Sequence, residues 1–221
     1  MTEELISPQV RDYLDRLVPP RPAEMQAMEA YARETHFPII GPASGYFCYQ
    51  IARMLGAKRV FELGSGYGYS TAWFARAVQE NLALSGGEGG GGTVHHVVWS
   101  DDLSQKARKH LGALGFGDIV QYRVSEAVQA LRETAGPFDI IFNDIDKHGY
   151  PDSLPVIAEK LRSGGALIID NMLWHGGIFD ESDHSPDKEG VVKFTQMITT
   201  DPGWIATLVP IRDGLIVAYK K

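Results

Sequence analysis

From Lys58 onward the chain alternates short apolar runs with segments of helical apolar spacing, and this alternation restricts its fold more than any other feature. The apolar runs are "RVFELG" (59–64), "TVHHVVW" (93–99), "IVQYRVS" (119–125), "FDIIFND" (138–144) and "ALIIDN" (166–171). Helical patterns separate them at 70–82, 104–115, 126–136 and 153–165. Near-continuous apolar strands between helices are buried on both faces, which predicts a mostly parallel sheet covered on both sides. Two last runs, "WIATLVPI" (204–211) and "GLIVAYK" (214–220), are separated only by Arg212 and Asp213, so they are expected to form an antiparallel hairpin. The expected class is therefore α/β, with seven strands.

Two segments leave this rhythm. Residues 1–57 carry helical patterns broken by "VPPRP" (18–22) and "HFPIIGPASG" (36–45), and are expected to form a helical arm covering the domain of residues 58–221. "SGGEGGGG" (85–92) is low in complexity and reads as a surface insertion. The 28 acidic and 21 basic residues give a net charge of −7, which argues against a nucleic-acid partner. The single cysteine, Cys48, excludes an internal disulfide and CxxC metal sites. No apolar run approaches the roughly 20 residues of a membrane helix, and the first ten residues lack a signal core. A soluble cytoplasmic protein without membrane contact is expected, and a homodimer.

"VFELGSGYGYS" (60–70) is a strand, a glycine turn and a helix start. Gly64, Gly66 and Gly68 allow a ligand close to the backbone, and the amides at the helix start are free to donate. The dinucleotide fingerprint GxGxxG fails at Tyr69, which disfavours a NAD-dependent dehydrogenase. The pattern E-x-G-x-G, with Glu62 two residues before the first glycine, resembles motif I of class I S-adenosylmethionine (SAM) methyltransferases. That resemblance implies a Glu62 carboxylate near the cationic amino acid end of SAM. It also implies an acidic residue after the next strand for the ribose hydroxyls, where Asp101 and Asp102 both stand.

"FDIIFNDIDKHGY" (138–150) ends a buried strand in carboxylates and an amine. Asp144 closes that strand; Asp170 and Asn171 close the next. A right-handed strand–helix–strand connection brings both ends to one edge of the sheet, where ligands bind in open α/β folds. Two carboxylates and an amide carbonyl are hard oxygen donors, suited to Mg²⁺ or a similar ion.

"DIDKHGY" and "DNMLWHGG", taken with "ELGSGYGYS" and "PIRDGLIVAYK", resemble the cation-dependent O-methyltransferases, the group of caffeoyl-CoA and catechol O-methyltransferases. The resemblance runs from about Gly45 to the C-terminus. It implies the seven-stranded, Rossmann-like SAM methyltransferase fold. It implies a metal (Mg²⁺, or Mn²⁺ or Ca²⁺) held by Asp144, Asp170 and Asn171, with Lys147 as general base. Glu62, Gly64, Gly66, Gly68, Ser70, Ala127, Asp144 and Asp146 fall on its cofactor side. Trp174 and His175 fall on its substrate side, with the loop 175–190 expected to close over a small catechol-like acceptor. The chain departs from the family at "IIGPASGYF" (39–47), which lacks the usual acidic residue, and at His175, where plant members carry Asn. Methyl transfer to an amine or a hydroxamate, and a SAM-binding module without turnover, are the alternatives. Adjacent His95 and His96 face opposite sides of a strand and do not form a metal pair.

Overall fold

The computed structural model describes residues 6–86 and 91–221. Its sheet has seven strands in the order β3-β2-β1-β4-β5-β7-β6. They are β1 (Arg59–Leu63), β2 (Thr93–Val98), β3 (Val120–Val124), β4 (Phe138–Asn143), β5 (Leu161–Ile169), β6 (Trp204–Val209) and β7 (Leu215–Lys220). Only β7 is reversed: it pairs antiparallel with both β5 and β6. The expected α/β class and terminal hairpin are both present. The hairpin link is longer than the sequence suggests, because β6 stops at Val209 and β7 starts at Leu215, leaving 210–214 free to turn.

Eight helices are described: α1 (Pro8–Leu17), α2 (Ala23–Thr35), α3 (Gly41–Met54), α4 (Tyr69–Leu84), α5 (Asp101–Ala113), α6 (Ala127–Glu133), α7 (Tyr150–Lys160) and α8 (Pro186–Thr200). One core, formed with α2 to α5, includes Met28, Cys48, Trp73, Phe74 and Phe142. The other, formed with α6 to α8, includes Phe61, Phe138, Tyr150, Phe194 and Trp204. Alternate residues of β1 and β4 serve opposite cores, as the two-residue period of a strand requires. Close packing of α3 on α4 depends on Gly45: a Cβ there would sit 2.2 Å from Trp73 Nε1.

Several expected boundaries shift. The helix read at 104–115 starts at Asp101, because the Ser100 hydroxyl caps the Leu103 amide. The helix read at 153–165 ends at Lys160. Leu161 is already extended and pairs with Phe138, while Lys220 Nζ donates to the Ala158 and Leu161 carbonyls. The end of the loop read at 175–190, from Pro186, and the unassigned stretch 191–200 form α8, capped by Ser185 and opened by Pro186. The glycine-rich segment lies between α4 and β2, and its residues 87–90 fall outside the described residues.

Candidate active site

The carboxyl ends of the parallel strands meet on one edge. Leu63 pairs with Asn143 and Asn143 with Ile169, so Gly64, Asp144 and Asp170 follow in adjacent columns. Hydrogen bonds continue past the strands: the Asp144 amide donates to the Leu63 carbonyl at 2.8 Å, and the Asp170 amide to the Asn143 carbonyl at 3.2 Å. Because β7 runs the other way, its beginning reaches this same edge and brings the link 210–214 with it.

At the β1 end the chain turns through Gly64, Gly66 and Gly68, all with positive φ. Gly64 admits no side chain, since a Cβ would lie 2.5 Å from the Asp144 carbonyl oxygen. Gly68 caps α4 and packs on Ala107 and Leu111 of α5. The amides of the first turn of α4, which includes Ser70, have no partner within the helix. A cleft lies over this turn, lined by Phe37, Ile39, Gly64, Ser65, Tyr69, Ser70 and Asp144. Beneath it, Glu62 is fully buried. Thr71 Oγ1 donates to Glu62 Oε2, while Oε1 has no hydrogen-bond partner among the described residues. Burial pushes the Glu62 carboxyl up to about 7, against the pull of the Ser70, Thr71 and Ser65 hydroxyls. A buried carboxylate with a free oxygen and no cation beside it is suited to a positively charged ligand.

The remaining cofactor-side residues sit on the same edge but farther out. Asp101 and Asp102 are exposed on the first turn of α5. Asp102 pairs with Lys106 at 2.8 Å, and Asp101 accepts from Gln105 at 2.5 Å. Ala127 is buried at the start of α6, whose first amides are capped by Glu126. Asp146 is exposed just before the 3-10 turn Lys147–Gly149. Of the two histidines, His95 packs on Phe61 and Phe138, while His96 meets the Gly66 carbonyl at 3.2 Å. Burial lowers both to about 4, so both are neutral at physiological pH.

The β4, β5 and β7 ends carry the charge. Lys147 Nζ donates to Asp144 Oδ1 at 2.7 Å and to the Ile145 carbonyl at 3.1 Å, and lies 5.5 Å from the Tyr150 ring centre. Burial raises the Asp144 carboxyl to about 6, and Asp170 adds to the rise; Lys147 and Arg212 oppose it. Asp170 is 1% exposed, and both its oxygens are engaged. Oδ1 accepts the Asn171 amide at 2.8 Å, and Oδ2 accepts Arg212 Nη1 at 2.7 Å. Asn171 Nδ2 donates to Asp213 Oδ2 at 2.9 Å, and the His175 amide to Asp213 Oδ1 at 2.6 Å. Trp174 and His175 follow with φ of 48° and 52°, in a left-handed bend held by these contacts. Asp144, Asp170 and Asn171 thus do converge, but no cluster of three or more His, Cys, Asp or Glu suited to a metal occurs among the described residues. Arg212 and Asp213, read from sequence only as a turn, belong to this cluster. So do Tyr150, whose hydroxyl donates to the Asp170 carbonyl at 2.9 Å, and Thr71 beside Glu62. In the sequence the pair stood as the link between the last two strands and within "PIRDGLIVAYK".

Comparison with known proteins identifies the arrangement. Residues 23–221 match the model of the O-methyltransferase family. A catechol O-methyltransferase of Mycobacterium tuberculosis is 31% identical over 212 residues, covering 95% of this chain and 91% of that protein. A catechol O-methyltransferase of Niastella koreensis is 29% identical over 191 residues, 82% of each. The O-methyltransferase of Bacillus cereus, solved in complex with SAH, superposes with a TM-score of 0.84 at 26% identity, over 100% of both chains. The chain belongs to the O-methyltransferase family.

Proposed function

We propose that this O-methyltransferase moves the methyl group of SAM to a hydroxyl of a small catechol-like acceptor. The observation that carries this reading is a buried, half-satisfied Glu62 carboxylate beneath a glycine turn, one strand away from a lysine held at the edge of the sheet. The SAH bound in the Bacillus cereus relative and the names of the two catechol O-methyltransferases support it.

The residues present fit SAM. Glu62 Oε1 offers a buried acceptor for its ammonium, Gly64 gives close backbone approach, and the amides of α4 with Ser70 suit its carboxylate. Asp101 or Asp102 would take the ribose hydroxyls. When bound, SAM supplies an electrophilic methyl group on a sulfonium. On the acceptor side Lys147 first releases its own ammonium proton to solvent and then takes the hydroxyl proton on Nζ. Lys147 pairs with Asp144 and Arg212 with Asp170, and of the two cations only the ammonium can release a proton to become a base. Trp174 and His175 flank the acceptor ring. Positioning and fixed charge supply most of the rate gain.

A divalent cation on Asp144, Asp170 and Asn171 does not fit these side chains as they stand. One Asp170 oxygen is held by the Asn171 amide and the other by a guanidinium, so no step is derived through a metal. Val10, Tyr13 and Leu17, exposed along one side of α1, support the expected homodimer.

Calorimetry with SAM, SAH and NAD, followed by mass spectrometry of mixtures with catechol or 3,4-dihydroxybenzoate, tests the reading. SAM and SAH should bind, NAD should not, and a monomethyl product should appear. Binding of NAD without SAM would end it.

A further inference from the structure

We infer that Arg212 supplies the positive charge of the acceptor site, so that methyl transfer by this protein needs no divalent cation. The inference rests on the acceptor site proposed above, and it concerns how that site is charged.

The first observation is backbone. Arg212 has φ of 53°, in the left-handed region where a side chain is disfavoured. Such a conformation persists only when its surroundings fix it. Here they do: the Met172 amide donates to the Gly214 carbonyl at 3.0 Å, the Leu173 amide to the Asp213 carbonyl at 2.9 Å, and the Gly214 amide to the Ile211 carbonyl at 2.9 Å. The link is zipped to the segment that follows Asp170, so the arginine is carried directly to that carboxylate.

The second observation is charge. Arg212 Nη1 lies 2.7 Å from Asp170 Oδ2, and Asp144 and Asp213 also attract the guanidinium. Lys147 holds Asp144 from the other side. Three carboxylates thus face two cations. A divalent ion on Asp170 would share that carboxylate with the guanidinium on Oδ2, unless Arg212 were displaced. The displaced guanidinium would remain tethered beside a doubly charged ion, and like charges at that range repel strongly.

The third observation is shape. The guanidinium keeps about a quarter of its side chain open to solvent, 27%, while its Asp170 partner is at 1%. The planar group has five donors, so N–H groups remain for the two neighbouring oxygens of an acceptor. A fixed cation there stabilises the phenolate as the proton leaves, without proton exchange of its own.

The test uses the full chain, freed of metal by chelator and resin. Mn²⁺ binding is followed by electron paramagnetic resonance, and methyl transfer to 3,4-dihydroxybenzoate is followed with and without excess chelator. The wild type should bind no Mn²⁺ at this site and keep at least half its turnover in chelator. Arg212→Gly, which relieves the positive φ, should fold, gain a Mn²⁺ site and become at least tenfold dependent on the metal. Adding Asp170→Asn should abolish that new site. Mn²⁺ bound by the wild type and lost in Asp170→Asn, or turnover that vanishes in chelator and returns with Mg²⁺, would overturn the inference. The Mn²⁺ measurement decides it even if no diphenol is methylated, a result that would count instead against the catechol-like acceptor.

Discussion

The two ends of the candidate site handle buried charge in opposite ways. At the glycine turn, Glu62 is sealed in with the Thr71 hydroxyl on one oxygen and, among the described residues, no full hydrogen bond to the other, with the Ser65 and Ser70 hydroxyls nearby. One and two strands away, Asp144 and Asp170 each have a cation of the chain's own, Lys147 and Arg212. An unpaired buried carboxylate is costly and tends to take up a proton; a cation beside it opposes that rise, as Lys147 and Arg212 do at Asp144. The proposed cofactor end therefore waits for a ligand to complete it, whereas the proposed acceptor end is complete beforehand. The completed end keeps its geometry without ligand, and the incomplete end converts its own instability into affinity.

The largest effect expected from breaking this contrast is at Lys147. Lys147→Met keeps most of the alkyl stem and should leave SAM binding within about twofold. Turnover should fall by roughly 10²–10⁴, the range of a positioned base. The deficit should narrow at high pH and with acidic nitrocatechols, where the acceptor ionises unaided. A mutant that loses SAM binding together with turnover would make Lys147 a structural cation instead.

A smaller effect is expected at Glu62, and its sign depends on whether ligand is present. Burial raises the carboxyl from 4.5 to about 7, so the folded apo protein holds a proton that the unfolded chain gives up between those values. This contribution to stability is full below about pH 4.5 and is lost as pH rises through 7. Glu62→Gln removes that loss, so above pH 8 the apo variant should be more stable than wild type by up to about 3 kcal/mol. The same change should weaken SAM by about tenfold or more, the value of a hydrogen bond to a charged group. Denaturant melts at pH 5 and pH 8 beside SAM titrations give both readings. A variant less stable than wild type at pH 8 would show that Glu62 is already paired.

The smallest effect tests how the cover is fastened to the cofactor end. Tyr69 donates to Glu29 Oε1 at 2.8 Å, and Arg21 reaches the same carboxylate at 2.6 Å and 3.1 Å. Tyr69→Phe leaves the Arg21 pair intact, so it should cost about 1 kcal/mol and shift SAM affinity less than threefold. A tenfold drop in affinity would mean that the Tyr69–Glu29 contact, and not only Phe37 and Ile39 of the cover, shapes the cleft.

Much of this was legible beforehand, because strands such as 138–143 carry apolar residues on both faces and a glycine turn ends β1 at Gly64. Asp144 and Asp170 were legible as partners because neighbouring parallel strands must end together. Arg212 was not. It stands 42 residues from Asp170, and in a turn an arginine carries no periodic signal; only the reversal of β7 brings it to the site. Helix α8 went unread because its polar start, "SPDKEG", continues the loop composition before it. The start of α5 at Asp101 was read three residues late, at 104, since cap chemistry at Ser100 lies in one hydroxyl and not in the apolar pattern.

The reversed strand β7 follows the other six in chain order, yet it lies between β5 and β6. On the ribosome, β1 to β5 can pair while β7 is still unmade, so the glycine turn and Glu62 can assemble early. The edge that Arg212 occupies cannot exist until β7 is made and inserts. A stalled or C-terminally clipped chain would then resemble a vessel with a floor and one wall missing: able to hold the methyl donor, with nowhere to seat what receives it.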